Sequence, residues 1–237
     1  MIERYQSQTA QQTSAKEFDA GLRSHMLRIY NYMTSGILLT AIVSLAVWNT
    51  PAIYNALIAS QDLFLVFAFA PLAFVLVLSF GINKLSSSAA KGIFFAYAAV
   101  MGVSIGVIVA QFTGVSVART FLVTAIAFAS LSLYGYTTKR SLSGMGTFLM
   151  MGLVGLFVAS IINIFVASTM LEFIISVAGV LIFAGLTAYD TQKLKRDYYN
   201  YTSAEMQEKG AIYGALSLCL DFINLFFYLL RFLGNRD

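Results

Sequence analysis

Two aspartates near the C-terminal end of the chain are the residues best suited to chemistry. Asp221 is the only charged residue between Gly210 and Leu230, and Asp190 ends the preceding apolar stretch. A charged aspartate in the middle of a membrane costs about 2.5–3.5 kcal/mol on insertion scales, and such residues usually face the interior of a helix bundle with a partner. We therefore expect a functional role for Asp221.

Polar side chains accompany Asp221 along one face of its segment. On a helix that advances about 100° per residue, these side chains fall within about a quarter of the circumference. The polar stripe consists of Tyr213, Ser217, Asp221, Asn224 and Tyr228. Candidate pore-lining or supporting residues for the aspartates are Ser217, Asn224, Thr187 and Tyr213. For Ser217 and Asn224, hydrogen bonds that only pack the helix are the alternative interpretation.

Two carboxyl groups at similar depth could act as a switch. In a medium of low dielectric they cannot both ionise cheaply, so we expect Asp190 and Asp221 to share a proton. Once both lose their protons, their repulsion can open the helix pair or be relieved by a cation. Clustered carboxylate oxygens suit Ca²⁺ better than a soft metal. The sequence thus predicts a pH-sensing pair that binds calcium transiently.

Each aspartate also has a structural interpretation. Asp190 could cap the end of its helix, or pair with Lys193 or Lys195. Asp221 has no basic residue on its own segment until Arg231. Its structural partners would be basic residues of other loops: Lys84, Lys139 or Arg140.

The composition places these residues in a membrane protein. Hydrophobic residues make up 59% of the 237, charged residues 11%, and the mean hydropathy is +0.77. Soluble domains carry about 25% charged residues. The net charge of +4 comes from basic residues between apolar runs and not from one patch, so no nucleic-acid partner is indicated.

Seven apolar runs are long enough to cross a bilayer, which needs about 20 residues. We predict an all-α integral membrane protein with seven spans: Tyr30–Trp48, Leu63–Ile82, Gly92–Phe112, Ala118–Tyr136, Gly146–Val166, Leu171–Tyr189 and Ala211–Phe232. The short loops leave no room for a separate soluble domain.

The basic residues predict how the chain is oriented. Twelve of the fifteen Lys and Arg residues fall in the N-terminal segment and in the second, fourth and sixth loops, which share one side. We predict a cytoplasmic segment 1–29, a membrane domain 30–232 and an external tail 233–237. Residues 16–29 suit a short amphipathic helix on the membrane surface, where His25 would be a surface side chain.

Small residues predict where the helices approach one another. Two stripes of small and polar residues are typical of packing seams, one on the third span and one on the fifth. They are Ala98, Gly102, Gly106 and Ala110, and Gly152, Gly155, Ser160 and Asn163.

Three segments resemble the Bax inhibitor-1 family, in its bacterial branch. They are GLTAYDTQKLK at 185–195, CLDFINLF at 219–226 and LYGYTTKRSLSGMG at 133–146. The resemblance implies two layers of three helices around a central seventh helix. It also implies a pH-sensitive Ca²⁺ leak controlled by two aspartates, which match Asp190 and Asp221. The family's arginine latch on the second helix has no counterpart here, and Lys84 is the candidate substitute.

The leading functional hypothesis is therefore a pH-sensitive calcium leak channel of the inner membrane, with no enzymatic activity and no cofactor. Its partners would be the lipid bilayer, Ca²⁺ and protons. An alternative is an interaction protein that modulates a membrane-bound AAA protease or a cell-stress response. An intramembrane aspartyl protease is disfavoured, because the chain lacks the Gly-x-Gly-Asp and Pro-Ala-Leu segments of that class.

Overall fold

The computed structural model describes residues 2–235, with side chains described from Ala20 onward, and this part of the chain is helical without strands. The eight α-helices are α1 (Ile2–Trp48), α2 (Pro51–Ala59), α3 (Gln61–Gly81), α4 (Ser87–Val109), α5 (Gly114–Thr137), α6 (Ser143–Val166), α7 (Thr169–Asp197) and α8 (Ala204–Leu233). A short 3₁₀ turn, Tyr198–Asn200, follows α7.

Seven of these helices are long and apolar enough to cross a membrane, which confirms the predicted class and number of spans. The short helix α2 was not predicted, because its nine residues form part of an apolar loop that cannot span. α7 continues to Asp197, past its predicted end at Tyr189, and α8 begins at Ala204, before Ala211. The prediction ended each span near its first charges, whereas backbone hydrogen bonding continues through them.

Five helices begin at a serine or threonine whose hydroxyl accepts a backbone N–H of the first turn, namely α3, α4, α5, α7 and α8. Such caps satisfy donors that the helix itself leaves unpaired. At the end of α6, Ala167 adopts a left-handed conformation with a φ of 48°, which turns the chain into α7. These signals mark the starts of five helices and the end of α6.

The last helix is the centre of the bundle. α8 packs against α7, α1, α5 and α4, and 56% of its most apolar window is buried, the largest share among the seven spans. α1 and α3 pack on α4 to form one layer, and α5 and α6 pack on α7 to form the other. This arrangement agrees with the layers that the family resemblance implies. We call the end with the α3–α4, α5–α6 and α7–α8 connections the basic end.

From Ala20 onward the structure has no separate surface helix before Tyr30, because α1 runs on without a break. The apolar stripe Leu22, Met26 and Ile29 is buried against the rest of the bundle. The prediction of a surface helix failed because an apolar stripe looks the same whether it meets lipid or protein.

The prediction that His25 is a surface side chain was also wrong. His25 is 3% exposed and lies between the rings of Tyr198 and Tyr201, at centroid distances of 5.2 and 5.4 Å. Within the predicted segments 1–29 and 233–237, residues 1–19 and 236–237 lie outside the described side chains. The side of the membrane on which each terminus lies stays a prediction.

The small-residue seam on α4 is confirmed as a packing contact. A Cβ added at Gly102 would lie 2.7 Å from the Thr40 carbonyl oxygen and 2.7 Å from Val43 Cβ. A Cβ at Gly106 would lie 2.7 Å from Val47 Cβ. The absent side chains let the backbones of α1 and α4 approach closely.

The corresponding seam on α6 is found only in part: a Cβ added at Gly152 would lie 3.1 Å from the Ile182 side chain of α7. A Cβ at Gly155 would meet nothing within 4 Å, and Asn163 instead accepts the Ser168 N–H at the turn into α7. The prediction failed at Gly155 because a small residue contributes to a seam only where a second helix covers it.

Alanine substitutions at the two glycine sites should therefore act in opposite directions. Gly102→Ala should destabilise the bundle by about 1–3 kcal/mol through overpacking. Gly155→Ala should be neutral or stabilising by up to about 1 kcal/mol, because alanine favours the helix. Unfolding midpoints of both variants in the same detergent would measure this. Equal midpoints for the two variants would contradict the α1–α4 contact.

Candidate functional site: an aspartate pair between α7 and α8

Asp221 lies in the interior of the bundle. The residue is 4% exposed, midway along α8, and among the described residues its Oδ2 atom has no hydrogen-bond partner. Its neighbours Phe222 and Ile223 are buried apolar side chains. A buried carboxylate without a partner is costly, so this site favours a bound proton or a cation.

Asp190 faces α8 from the neighbouring helix. The Ser217 hydroxyl donates to Asp190 Oδ2 at 2.5 Å, and Ser217 lies one helical turn before Asp221. This bond ties the partly buried carboxyl group of α7 to the polar stripe of α8. The structure thus brings Asp190, Ser217 and Asp221 together at the α7–α8 contact.

The structural interpretations of the two aspartates find little support in the described part of the chain: Lys193 attracts the Asp190 carboxyl group electrostatically but forms no ion pair with it. α7 continues beyond Asp190 to Asp197, so Asp190 does not cap a helix end. Lys195 donates instead to the Tyr136 carbonyl at 3.0 Å. No ion pair between described residues involves either aspartate. Lys84, the candidate latch, is exposed in the turn after α3 and forms no ion pair with either aspartate.

The other predicted site residues make local bonds. Thr187 is buried and donates to the Phe183 carbonyl, and the Asn224 amide donates to the Leu220 carbonyl, each at 2.8 Å. Both bonds remain within one helix. Tyr213 is half-buried one turn before Ser217. Within the described polar stripe, Ser217 is thus the residue that forms a hydrogen bond with the aspartate of α7, Asp190.

A partly polar cavity approaches the pair from the end opposite the basic end. Its volume is about 450 Å³, and it lies between α4, α6 and α8. Its polar lining residues are Gln111, Ser160, Asn224, Tyr228 and Arg231. Asn224 is nearly one turn beyond Asp221, so the cavity extends along α8 toward the buried carboxyl group.

A chain of hydroxyl groups that the sequence did not predict links α1, α5 and α7. The Tyr30 and Ser132 oxygens are 2.6 Å apart, and the Ser132 and Thr191 oxygens are 2.9 Å apart. Thr191 in turn donates to the Thr187 carbonyl at 2.8 Å. Thr191 follows Asp190 directly, so this chain fixes the segment of α7 that carries the aspartate.

Gln192 ties the α5–α6 connection to the same segment. Its side-chain oxygen accepts the Leu142 N–H and its amide donates to the Arg140 carbonyl, both at 2.8 Å. One amide side chain thus satisfies two backbone groups of the loop. The sequence offered one indication that Gln192 matters, because the residue lies in the motif at 185–195 that resembles the family.

Glu208 anchors the start of α8 at the basic end. Its carboxylate pairs with Arg28 at 2.9 Å and with Lys91 at 3.3 Å, and it accepts the Tyr32 hydroxyl at 2.5 Å. These partners belong to α1 and α4. The sequence did not indicate this cluster, because Arg28 and Glu208 are 180 residues apart.

The fold and this pair define a multi-pass helical membrane protein with carboxyl groups inside its bundle. The family described as inhibitor of apoptosis-promoting Bax1 matches residues 22–237. The chain belongs to this family, which confirms the resemblance seen in its motifs.

Similar proteins occur in several bacteria. The inner membrane protein YbhL of Escherichia coli is 44% identical over 219 residues, covering 92% of this chain and 94% of that protein. An uncharacterized protein of Rickettsia prowazekii is 42% identical over 221 residues, covering 93% of each chain. An uncharacterized protein of Caulobacter vibrioides is 44% identical over 229 residues, covering 92% of each. The similarity extends over the whole membrane domain.

Loss of the Glu208 charge should loosen α8. Glu208→Gln should lower the free energy of unfolding by about 1 kcal/mol, because partly exposed ion pairs contribute little individually but this carboxylate joins three helices. Glu205→Gln is the matched control, since among the described side chains Glu205 pairs only with Lys209 of its own helix and is 62% exposed. The two variants would be compared by their unfolding midpoints in the same detergent. A loss as large for Glu205→Gln would contradict the anchoring role of Glu208.

Proposed function

We propose that the chain forms a pH-sensitive calcium leak pathway, gated by Asp190 and Asp221. The observation that supports this most is the buried Oδ2 of Asp221, which has no hydrogen-bond partner within the described part and lies one turn from the Ser217–Asp190 bond. An intramembrane carboxyl group facing a bundle interior is typical of ion and proton pathways.

The proton is the gating ligand in this proposal. With at least one proton on the pair, Ser217 and the shared proton hold α7 against α8, and the path is closed. Loss of that proton leaves two negative charges in a medium of low dielectric, and their repulsion favours separation of the helices. The closed state binds the proton more tightly than the open state, so its population falls as pH rises. The flux therefore rises with pH.

Calcium suits the groups that line this path. Asp190 and Asp221 supply carboxylate oxygens, and the cavity beyond them adds hydroxyl and amide oxygens from Ser160 and Asn224. Oxygen ligands of this kind favour a hard cation. In this proposal Ca²⁺ is cargo that binds transiently, the protein needs no cofactor, and no chemical step is catalysed.

The proposal places the protein in the inner membrane, the location printed in the name of YbhL. The basic end would face the cytoplasm, because Lys and Arg residues concentrate in cytoplasmic loops. The N-terminus would then be cytoplasmic and the C-terminus external. The partly polar cavity would open to the outside.

Neutralising the buried carboxyl group should abolish pH control. In liposomes loaded with a Ca²⁺ indicator, the unaltered protein should admit Ca²⁺ faster as pH rises. Asp221→Asn preserves the shape of the side chain but cannot ionise, so its flux should stay low and independent of pH. Asp62→Asn, which removes an exposed carboxyl group from the first turn of α3, is the matched control and should keep the pH response.

Flux through the unaltered protein that does not change with pH would overturn the gate, and so would an unchanged pH response in Asp221→Asn. No flux from any variant would favour the interaction-protein hypothesis over the channel.

The Ser217 hydroxyl should stabilise the closed state. Ser217→Ala removes a hydrogen bond to an acidic group, worth about 1.5–3 kcal/mol, so the flux at low pH should rise about tenfold or more. Ser217→Thr keeps a hydroxyl at the position and should stay near the unaltered rate. The same liposome assay measures both variants. Equal low-pH flux in the two would argue against this contact.

A further inference from the structure

A groove open to the surrounding lipid runs along the boundary between α1 and α5, with α8 as its floor. One cavity of about 750 Å³ lies toward the basic end, and a second of about 340 Å³ lies toward the opposite end. Both are lined by Ile37, Phe121 and Phe222, so they join into one groove. Exposed apolar side chains such as Leu133 and Leu45 form its outer edges.

The groove stays open because α1 and α5 each pack closely on a different helix. α1 approaches α4 through Gly102 and Gly106. Gly135 of α5 lies against the Ala188 backbone of α7, where no side chain would fit. On the groove side, Ala125 and Ala129 of α5 are too small to fill the space. The gap is therefore a consequence of the two layers.

The basic end of the groove carries positive charge. Arg23 lines the groove and makes no ion pair with any residue from Ala20 onward. Lys195 lies 5.1 Å from the ring centroid of Tyr136, another lining residue. The hydroxyl groups of Tyr30 and Ser132 lie in the same part of the groove. Beyond this end the walls are almost entirely aliphatic and aromatic.

We propose that this groove binds an anionic phospholipid, with one acyl chain between α1 and α5 and the phosphate near Arg23 and Lys195. The apolar walls match a hydrocarbon chain, and the two cations match a headgroup of net negative charge. The volume of the larger cavity lies within the range of about 300–1,000 Å³ that is usual for ligand pockets. A soluble polar ligand would find no partners along most of the groove.

The bound chain would lie against Phe222, directly after Asp221 in α8. The lipid would thus cover the face of α8 that lies in the gap between α1 and α5. This inference does not rest on calcium conduction, because it concerns the packing of the closed bundle in its membrane.

The test is native mass spectrometry of the full chain, released from detergent after addition of phosphatidylglycerol or of phosphatidylcholine with the same acyl chains. The unaltered protein should retain phosphatidylglycerol preferentially. Arg23→Gln should weaken its binding about fivefold, the contribution of one basic side chain near a membrane surface. Lys139→Gln removes one exposed positive charge at the same end but outside the groove, and should bind as the unaltered protein does.

Filling the groove should remove the lipid. Ala125→Leu combined with Ala129→Leu should abolish retention of phosphatidylglycerol while the unfolding midpoint stays near that of the unaltered protein. If this double variant does not fold, the comparison of Arg23→Gln with Lys139→Gln decides. Equal retention of the two lipids by the unaltered protein, or equal binding by the two charge variants, would overturn the proposal. A lipid-free dimer would also overturn it, by assigning the groove to a second copy.

Discussion

The carboxyl group of Asp221 lies inside the bundle on its central helix, where an unpaired charge would cost several kcal/mol. The surrounding structure keeps this group from water and lipid. α7, α1, α5 and α4 all pack on α8, and Ser217 connects α8 to the second carboxyl group on α7. The packing of these four helices around α8 is therefore what keeps the Asp221 carboxyl group buried.

The contacts that hold this enclosure are concentrated at the basic end. Glu208 fastens the start of α8 to α1 and α4, and the hydroxyl chain through Ser132 fastens α7 to α1 and α5. By contrast, the aspartate pair itself is tied by a single side-chain bond from Ser217. Because the helices are held together mainly at the basic end, the single bond between Ser217 and Asp190 could break on loss of a proton while the bundle stays folded.

The sequence predicted what depends on local composition. Apolar runs gave the seven spans, and the absence of a basic partner on its own helix marked Asp221 as enclosed. Contacts between segments far apart in the sequence, such as the ion pair of Arg28 with Glu208, could not be predicted from local composition. The burial of His25 and the uncovered Gly155 were mispredicted for a related reason, because an apolar or small stripe does not say whether protein or lipid covers it. The proposed orientation in the membrane rests on the distribution of basic residues, and the proposal of calcium as the ion rests mainly on the family resemblance.

The most direct test of the shared proton is infrared difference spectroscopy of the full chain in bilayers between low and high pH. The account predicts a band of protonated carboxylic acid that disappears as pH rises and is absent from Asp221→Asn. If the two groups share one proton, the same band should be altered in Asp190→Asn. A band that persists unchanged in Asp221→Asn, or no titrating carboxyl band in the unaltered protein, would contradict the account.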